Sequence, residues 1–248
     1  MRDFPVPEPL AGFVGSVIAY RETIPNGLEV TERVLPDGAV RLIVELGETR
    51  HRHAGAVPFL AAGASAAPAV LRLRGRLEGL SVALRPGAAA AVLGMPADEL
   101  TGRAVPLQDL WRDQEGGLLE RLAATADDGA RVRLLLDLLQ RRLRKHGSGA
   151  RDAGRQQAMK AVQLIARANG QPRLRQVAGE IGVGERRLQQ IFRQHVGLTP
   201  VQWRRLARLH ACLRALRDSR PAAGPPWPPT RASTTSHTWS TSSRRCAA

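Results

Sequence analysis

The stretch LRQVAGEIGVGERRLQQIFR, Leu174 to Arg193, decides how this chain is read. Val177 and Ile181 lie four apart, on one face of a helix, and Leu188, Ile191 and Phe192 form a second apolar stripe at helical spacing. Between the stripes stands Gly182, which can take the left-handed conformation a tight turn needs. Ala178 is small enough for two helices to cross closely, and Val183 can plug the turn. Two short helices joined in this way make a helix-turn-helix. The outer face of the second helix carries Glu185, Arg186, Arg187, Gln189, Gln190 and Arg193, which is the wrong chemistry for a hairpin that merely packs. Arginine bonds guanine through two parallel hydrogen bonds, and glutamine does the same for adenine. Gly184 precedes this helix, a weaker N-cap than Ser or Thr.

Outward from this core, the periodicity predicts a helix before it, Arg155 to Ala168, and a longer one after it, Pro200 to Arg217. Asn169-Gly170, Gly182 and Gly197 separate the segments. Leu174, Val177-Ala178, Gly182-Val183, Arg187-Leu188, Ile191-Phe192-Arg193, Gly197-Leu198-Thr199-Pro200, Trp203 and the Arg204 to Arg208 segment together resemble the first helix-turn-helix and linker helix of AraC/XylS-type transcription regulators. Two positions depart from the family's usual residues: Gly184 stands where Ser is common, and Trp203 where Tyr is usual. The resemblance implies a sequence-specific DNA-binding transcription regulator, an activator or a repressor, and the two cysteines fit a reducing cytoplasm. It would read double-stranded promoter or operator DNA through Arg186, Arg187, Gln189, Gln190, Arg193 and Arg204. It leaves room for RNA polymerase, a small-molecule effector and a second copy of the chain as further partners, and it calls for no cofactor or metal.

The charge distribution agrees. The net charge is +15, yet residues 1–110 carry −1, residues 111–150 carry +2 and residues 151–220 carry +11. A near-neutral front half joined to a basic back half suggests a polyanion held by the back half.

The front half reads as mostly β. PDGAVRLIVELG, Pro36 to Gly47, is a turn followed by a strand. VLRLRGRLEGLSVAL, Val70 to Leu84, alternates apolar and polar residues and predicts a hairpin with one wet face, broken at Gly75 and Gly79. Frequent Pro and Gly suggest short strands in a sandwich or barrel. PGAAAAVL, Pro86 to Leu93, predicts a short helix. Pro36-Asp37-Gly38, Arg85-Pro86-Gly87, Leu93-Gly94 and Leu100 resemble the β-rich domain that precedes the DNA-binding domain in a subgroup of the same family. That resemblance implies a cupin-like sensing or dimerising module.

The expected organisation is α+β: a β-rich domain over 1–110, a helical extension and linker over 111–150, the DNA-binding domain over 151–220, and a tail over 221–248. Leucines 118, 119 and 122 begin one helix of the extension, and 130–144 forms another; HGSGARDAG, 146–154, reads as a flexible linker. The tail is crowded with Pro, Ser and Thr and shows no apolar period, so disorder is expected. A family member should carry a second helix-turn-helix there. One allowed codon choice for Arg231 to Ser243, read two bases later, gives GFYDQSHLVDEF, and Ala223 to Thr230 permits WAALAADA in the same frame. This closely resembles the family's second helix-turn-helix and suggests a frameshift near Ala222.

Other chemistry finds little footing. Cys212 and Cys246 are too few for a disulfide scaffold or a four-cysteine metal site. His51 and His53 have metal-ligand spacing but lack a following glutamate, so an exposed loop is expected. Asp98-Glu99 reads as a helix start rather than an acid/base pair, His195 and His210 as partly buried or helix-terminal residues, and Cys212 as core. A repair enzyme built on the same helical module would need a reactive cysteine in the front half, and none is there. No catalytic residue is assigned, and an enzyme is not expected. The longest uncharged run, Ala54 to Leu71, is interrupted by Pro58 and Pro68 and is a poor membrane span. The alternative function is a ligand-binding or dimerising β domain whose truncated DNA-binding domain works weakly or not at all.

Overall fold

The computed structural model describes residues 1–47, 58–111, 117–146 and 153–218. It is an α+β protein, β-rich to residue 106 and helical from there on. Among the described residues eight strands run as β1 Arg2–Phe4, β2 Val14–Thr23, β3 Val30–Val34, β4 Arg41–Glu45, β5 Phe59–Ala62, β6 Ala69–Leu73, β7 Arg76–Leu84 and β8 Ala104–Pro106. Six of them form one antiparallel sheet in the order β1-β2-β7-β4-β5-β8, and β3 pairs with β6 in a separate two-stranded ribbon.

The hairpin expected over 70–84 is not formed. β6 and β7 follow one another across Gly75, but β6 pairs with β3 while β7 lies between β2 and β4. The β2–β7 ladder, ending at Thr23 opposite Arg76, is continued by the β3–β6 ladder from Val30 opposite Leu73. Gly75 turns that corner at φ +64°, and Ile24 N–H donates to its carbonyl at 2.9 Å. Nor does β7 have a wet face, since every residue from Leu77 to Leu84 is buried. Alternation predicts one solvated face only when nothing covers it; β7 is covered on both faces, and a helix lies over the one that carries Glu78, Leu80, Val82 and Leu84.

That helix is α4, Asp128–His146, which packs on β2 and on the short 3₁₀ turn Glu8–Leu10. It also contacts α1, Ala89–Leu93, which starts three residues later than the run from Pro86 suggested. Arg131 of α4 is buried and donates to Glu78 of β7 at 2.5 Å and to the Leu122 carbonyl at 3.0 Å. Leu122 belongs to α3, Leu118–Ala124; the shorter α2 is Leu107–Trp111. A 3₁₀ turn, Ala97–Leu100, begins with Asp98 and Glu99 in its first turn, as read from the sequence. The 146–154 linker falls largely outside the described residues, as do His51, His53, Cys246 and the 221–248 tail with its frameshift reading.

The helical half comprises α5 Ala153–Arg167, α6 Leu174–Glu180, α7 Glu185–Val196 and α8 Pro200–Asp218, within two residues of the expected bounds. It does not stand apart from the sheet. One cluster of buried apolar residues runs from Leu42, Val44 and Val82 of the sheet through Leu135 and Leu139 of α4 to Ile165, Leu188, Ile191 and Phe192. Among the described residues no helix is long and apolar enough to cross a membrane.

Candidate nucleic-acid interface

Three turns, built on glycines and caps, set the geometry of α5 to α8. Asn169 and Gly170 both take positive φ and close α5, with Gly170 N–H donating to Ile165 O at 2.8 Å. At the start of α6, Arg173 N–H is capped by the Gln176 side chain at 2.8 Å. Gly182, at φ +74°, makes the turn between α6 and α7, with Val183 N–H donating to Ala178 O at 3.0 Å. Gly197, at φ +80°, ends α7, its N–H bonding the carbonyls of Phe192 and Arg193. The Gly-Leu-Thr-Pro signature then explains itself. Thr199 caps α8 while Gln202 reaches back to the Thr199 N–H at 2.8 Å, and Pro200 occupies the first turn, where a missing N–H costs nothing.

The inner faces pack as read. Val177, Ala178, Ile181, Leu188, Ile191 and Phe192 are buried, and Val183 is half-buried against the same cluster. The expected outer face is exposed along its whole length: Glu185, Arg186, Arg187, Gln189, Gln190 and Arg193. Gly184 precedes α7 without a side-chain cap, so the first-turn amides of that helix are not covered by a neighbouring side chain there. Arg187 holds the Gln190 carboxamide oxygen at 3.0 Å, aligning two of the candidate base-reading groups one turn apart. Among the described residues no carboxylate forms an ion pair with Arg186, Arg187 or Arg193; the ion pairs found there belong to Arg21, Arg41, Arg72, Arg74, Arg76, Arg131 and Arg133 of the front half and α4.

Arg204 differs from the other five candidates. It is half-buried on α8, and its Nε donates to Gly170 O at 3.3 Å, beside the Nε of Arg208 at 3.1 Å. It braces the α5–α6 turn instead of standing on the α7 face. His195 is buried and His210 half-buried, with Nε2 of His210 at 2.9 Å from Pro36 O. Cys212 corrects the expectation of a core residue: it is exposed, because it lies beyond Leu206, the last buried residue of α8.

Sequence reasoning missed how the sheet grips this unit. Arg155 of α5 is buried, donates to Gly87 O at 3.1 Å and Gly12 O at 2.7 Å, and lies over the Phe13 ring at 4.3 Å. Gly87 N–H donates to His195 O at 2.8 Å, and the Thr101 hydroxyl to Gly197 O. The Asp-Gly turn is part of the grip, since a Cβ on Gly38 would stand 2.6 Å from Trp203 Cζ3. Glycine in the Arg85-Pro86-Gly87 and Pro36-Asp37-Gly38 motifs was the available signal, although each also fits an ordinary turn.

Neither the curated proteins nor the solved structures contain a match to this chain. Residues 2–106, which span the eight strands, match the family model described as a domain of unknown function, DUF6597, and in that part the chain is similar to its members.

Proposed function

We propose that this chain is a sequence-specific transcription regulator of the AraC type that lays α7 in the major groove of double-stranded DNA. The observation that carries the reading is the division of α7. Its inner face is buried in the common core, and its outer face offers Arg186, Arg187, Gln189, Gln190 and Arg193 to solvent with no carboxylate partner among the described residues. Guanidinium and carboxamide groups one helical turn apart suit adjacent base edges, and the surplus of arginine suits phosphates. In this reading Arg204 acts indirectly by holding the α5–α6 turn, the sheet domain senses an effector or dimerises, and RNA polymerase is the downstream partner. The chain is not an enzyme in this reading. A gel-shift titration against its flanking intergenic DNA tests it: a shifted band that resists nonspecific competitor is expected, and equal competition by any duplex overturns it.

A weaker second reading, a sheet domain with a crippled DNA-binding half, draws on the far end of α8. There Leu209 and Leu216 are exposed, the latter at 70%. A second reading head packed on that end would cover them. Translating the shifted frame, so that GFYDQSHLVDEF replaces the present tail, should then bring specific affinity up from the nonspecific range of about 10⁻⁴–10⁻⁶ M by engaging two half-sites. Equal affinity of the two chains for one promoter fragment refutes the lost-head account.

A further inference from the structure

The Arg85-Pro86-Gly87 motif is not used by the DNA-reading face, yet it is bonded on every side. Arg85 Nε reaches the Ala11 carbonyl at 2.6 Å and that of Val14 at 3.2 Å, anchoring the turn to the loop before β2. Gly87 then presents one peptide group to each of two helices. Its carbonyl accepts from Arg155 of α5, and its N–H donates to the His195 carbonyl in the last turn of α7. Last-turn carbonyls have no partner within their own helix, so an outside donor fixes where that end lies. One residue beyond α7, Gly197 is held by Thr101, and a Cβ there would meet Ala97 O at 2.9 Å. Gly87 itself admits no side chain. Its φ is +84°, and a Cβ would stand 2.9 Å from Arg155 Cγ.

We propose that the 85–87 turn and Arg155 couple the sheet domain to α7, with Arg155 and Thr101 as positioning residues that set the tilt of the DNA-reading helix. The C-terminal end of α7 is clamped by the Gly87 N–H and the Thr101 hydroxyl of the sheet domain, while its N-terminal end and outer face stay exposed. Because these bonds join the end of α7 to the sheet domain, a shift of their donors displaces that end of the helix. Movement of the 85–87 turn or the 97–101 turn, by an effector or a second subunit on the sheet, is thereby delivered to the base-reading face. Arg155 suits the coupling role because one rigid guanidinium spans Gly12, Gly87 and the Phe13 ring, whereas a lysine ammonium cannot hold all three with the same geometry.

The inference rests on α7 being the reading helix, and its test has two arms so that the two ideas fail separately. In the full chain, Arg155→Met, Arg155→Lys and Thr101→Val are compared by hydrogen exchange and by the ratio of specific to nonspecific DNA affinity. Arg155→Met should speed exchange of the α7 amides by about tenfold or more while α4 amides stay protected, and should lower the affinity ratio about tenfold. Arg155→Lys should recover part of both, and Thr101→Val should repeat the pattern more weakly. If Arg155→Met does not fold, Thr101→Val alone decides the matter, since it removes one hydroxyl at nearly constant volume. Exchange in α7 unchanged, or raised equally in α4, overturns the coupling. Wild-type protein without sequence preference overturns the DNA-reading assignment, while the exchange arm still decides whether the clamp exists.

Discussion

Phe192 and Glu78 show what single side chains carry in this protein. Phe192 has no exposed surface and sits where α7 meets the common core, so Phe192→Ala should cost about 3–5 kcal/mol of unfolding free energy. Denaturant titration checks this, and a loss under half that size would mean the site collapses around the truncation. Glu78 is buried, which alone would raise its pKa, but hydrogen bonds from Arg131, Arg76 and Arg21 outweigh burial and hold it at about 2 against an ordinary value of 4.5. A carboxylate whose pKa is depressed on folding stabilises the native state above its unfolded pKa, and that contribution fades as pH falls towards the folded value. The shift corresponds to roughly 3 kcal/mol, present at pH 6, roughly half lost by pH 3 and gone only below the folded pKa of about 2. Unfolding curves at both pH values should show it, and Glu78→Gln should flatten the difference while weakening the protein at neutral pH, because buried Arg131 then keeps only its longer contact to Asp128, at 3.3 Å. On the outer face of α7, the proposed DNA-reading role predicts that Arg186→Ala and Gln190→Ala each cost about 1–3 kcal/mol against the preferred site and relax one base position. If both leave affinity and preference intact, α7 is not the reading helix.

At the scale of elements, the turns separate into those that need only a conformation and those that also need space. Gly182 joins α6 to α7 at φ +74° with nothing near a would-be Cβ, so Gly182→Ala should cost only the left-handed backbone strain, about 1–2 kcal/mol. Gly197 has the same backbone and a crowded site, with Ala97 O at 2.9 Å, Thr101 Oγ1 at 3.2 Å and Ala64 Cβ at 3.3 Å from that position. Gly197→Ala should therefore be the more damaging of the two, with the extra loss arising at the contact with the sheet domain. Melting temperatures of the pair settle the order, and equal losses would mean that contact yields freely. The β2–β7 and β3–β6 ladders make the same point for strands: Gly75 bends the ribbon at φ +64° in open space, whereas a Cβ on Gly79 would come within 2.5 Å of the Tyr20 hydroxyl.

For the whole molecule, the division of charge and the unity of the core point in different directions. Residues 1–110 carry −1 and residues 151–220 carry +11, so duplex DNA should be held by the helical half. Each neutralised phosphate releases counterions, and log affinity should fall linearly and steeply with log salt concentration. A flat response between low and moderate salt would contradict electrostatic binding by this half. Mechanically, however, sheet and helices share one buried cluster. Unfolding should therefore be a single cooperative transition, with sheet and helix probes coincident in a denaturant titration. Two separated transitions would show that the interface between them is weak.

The order of helices 153–218, their inner faces and the exposed polar face of α7 were legible in the residues, because helical periodicity, glycine breakpoints and caps are local effects that act within one or two turns. The strand character of 36–47 and the α+β division were legible for the same reason. Strand partners were not. Whether 70–84 folds back on itself or feeds two ladders depends on β2, β3 and β4, far away in sequence, and so does the covering of β7 by α4. Arg155 reads as one more charge on a basic helix, and only the packing of Gly12, Phe13 and Gly87 around it makes it a buried clamp. Arg204 reads as a DNA contact until the Gly170 carbonyl is brought beside it. Cys212 has the spacing of a core residue and is exposed because it lies beyond Leu206, the last buried residue of α8. Local stereochemistry wrote the elements, and long-range burial decided which of their polar groups face the protein and which face solvent.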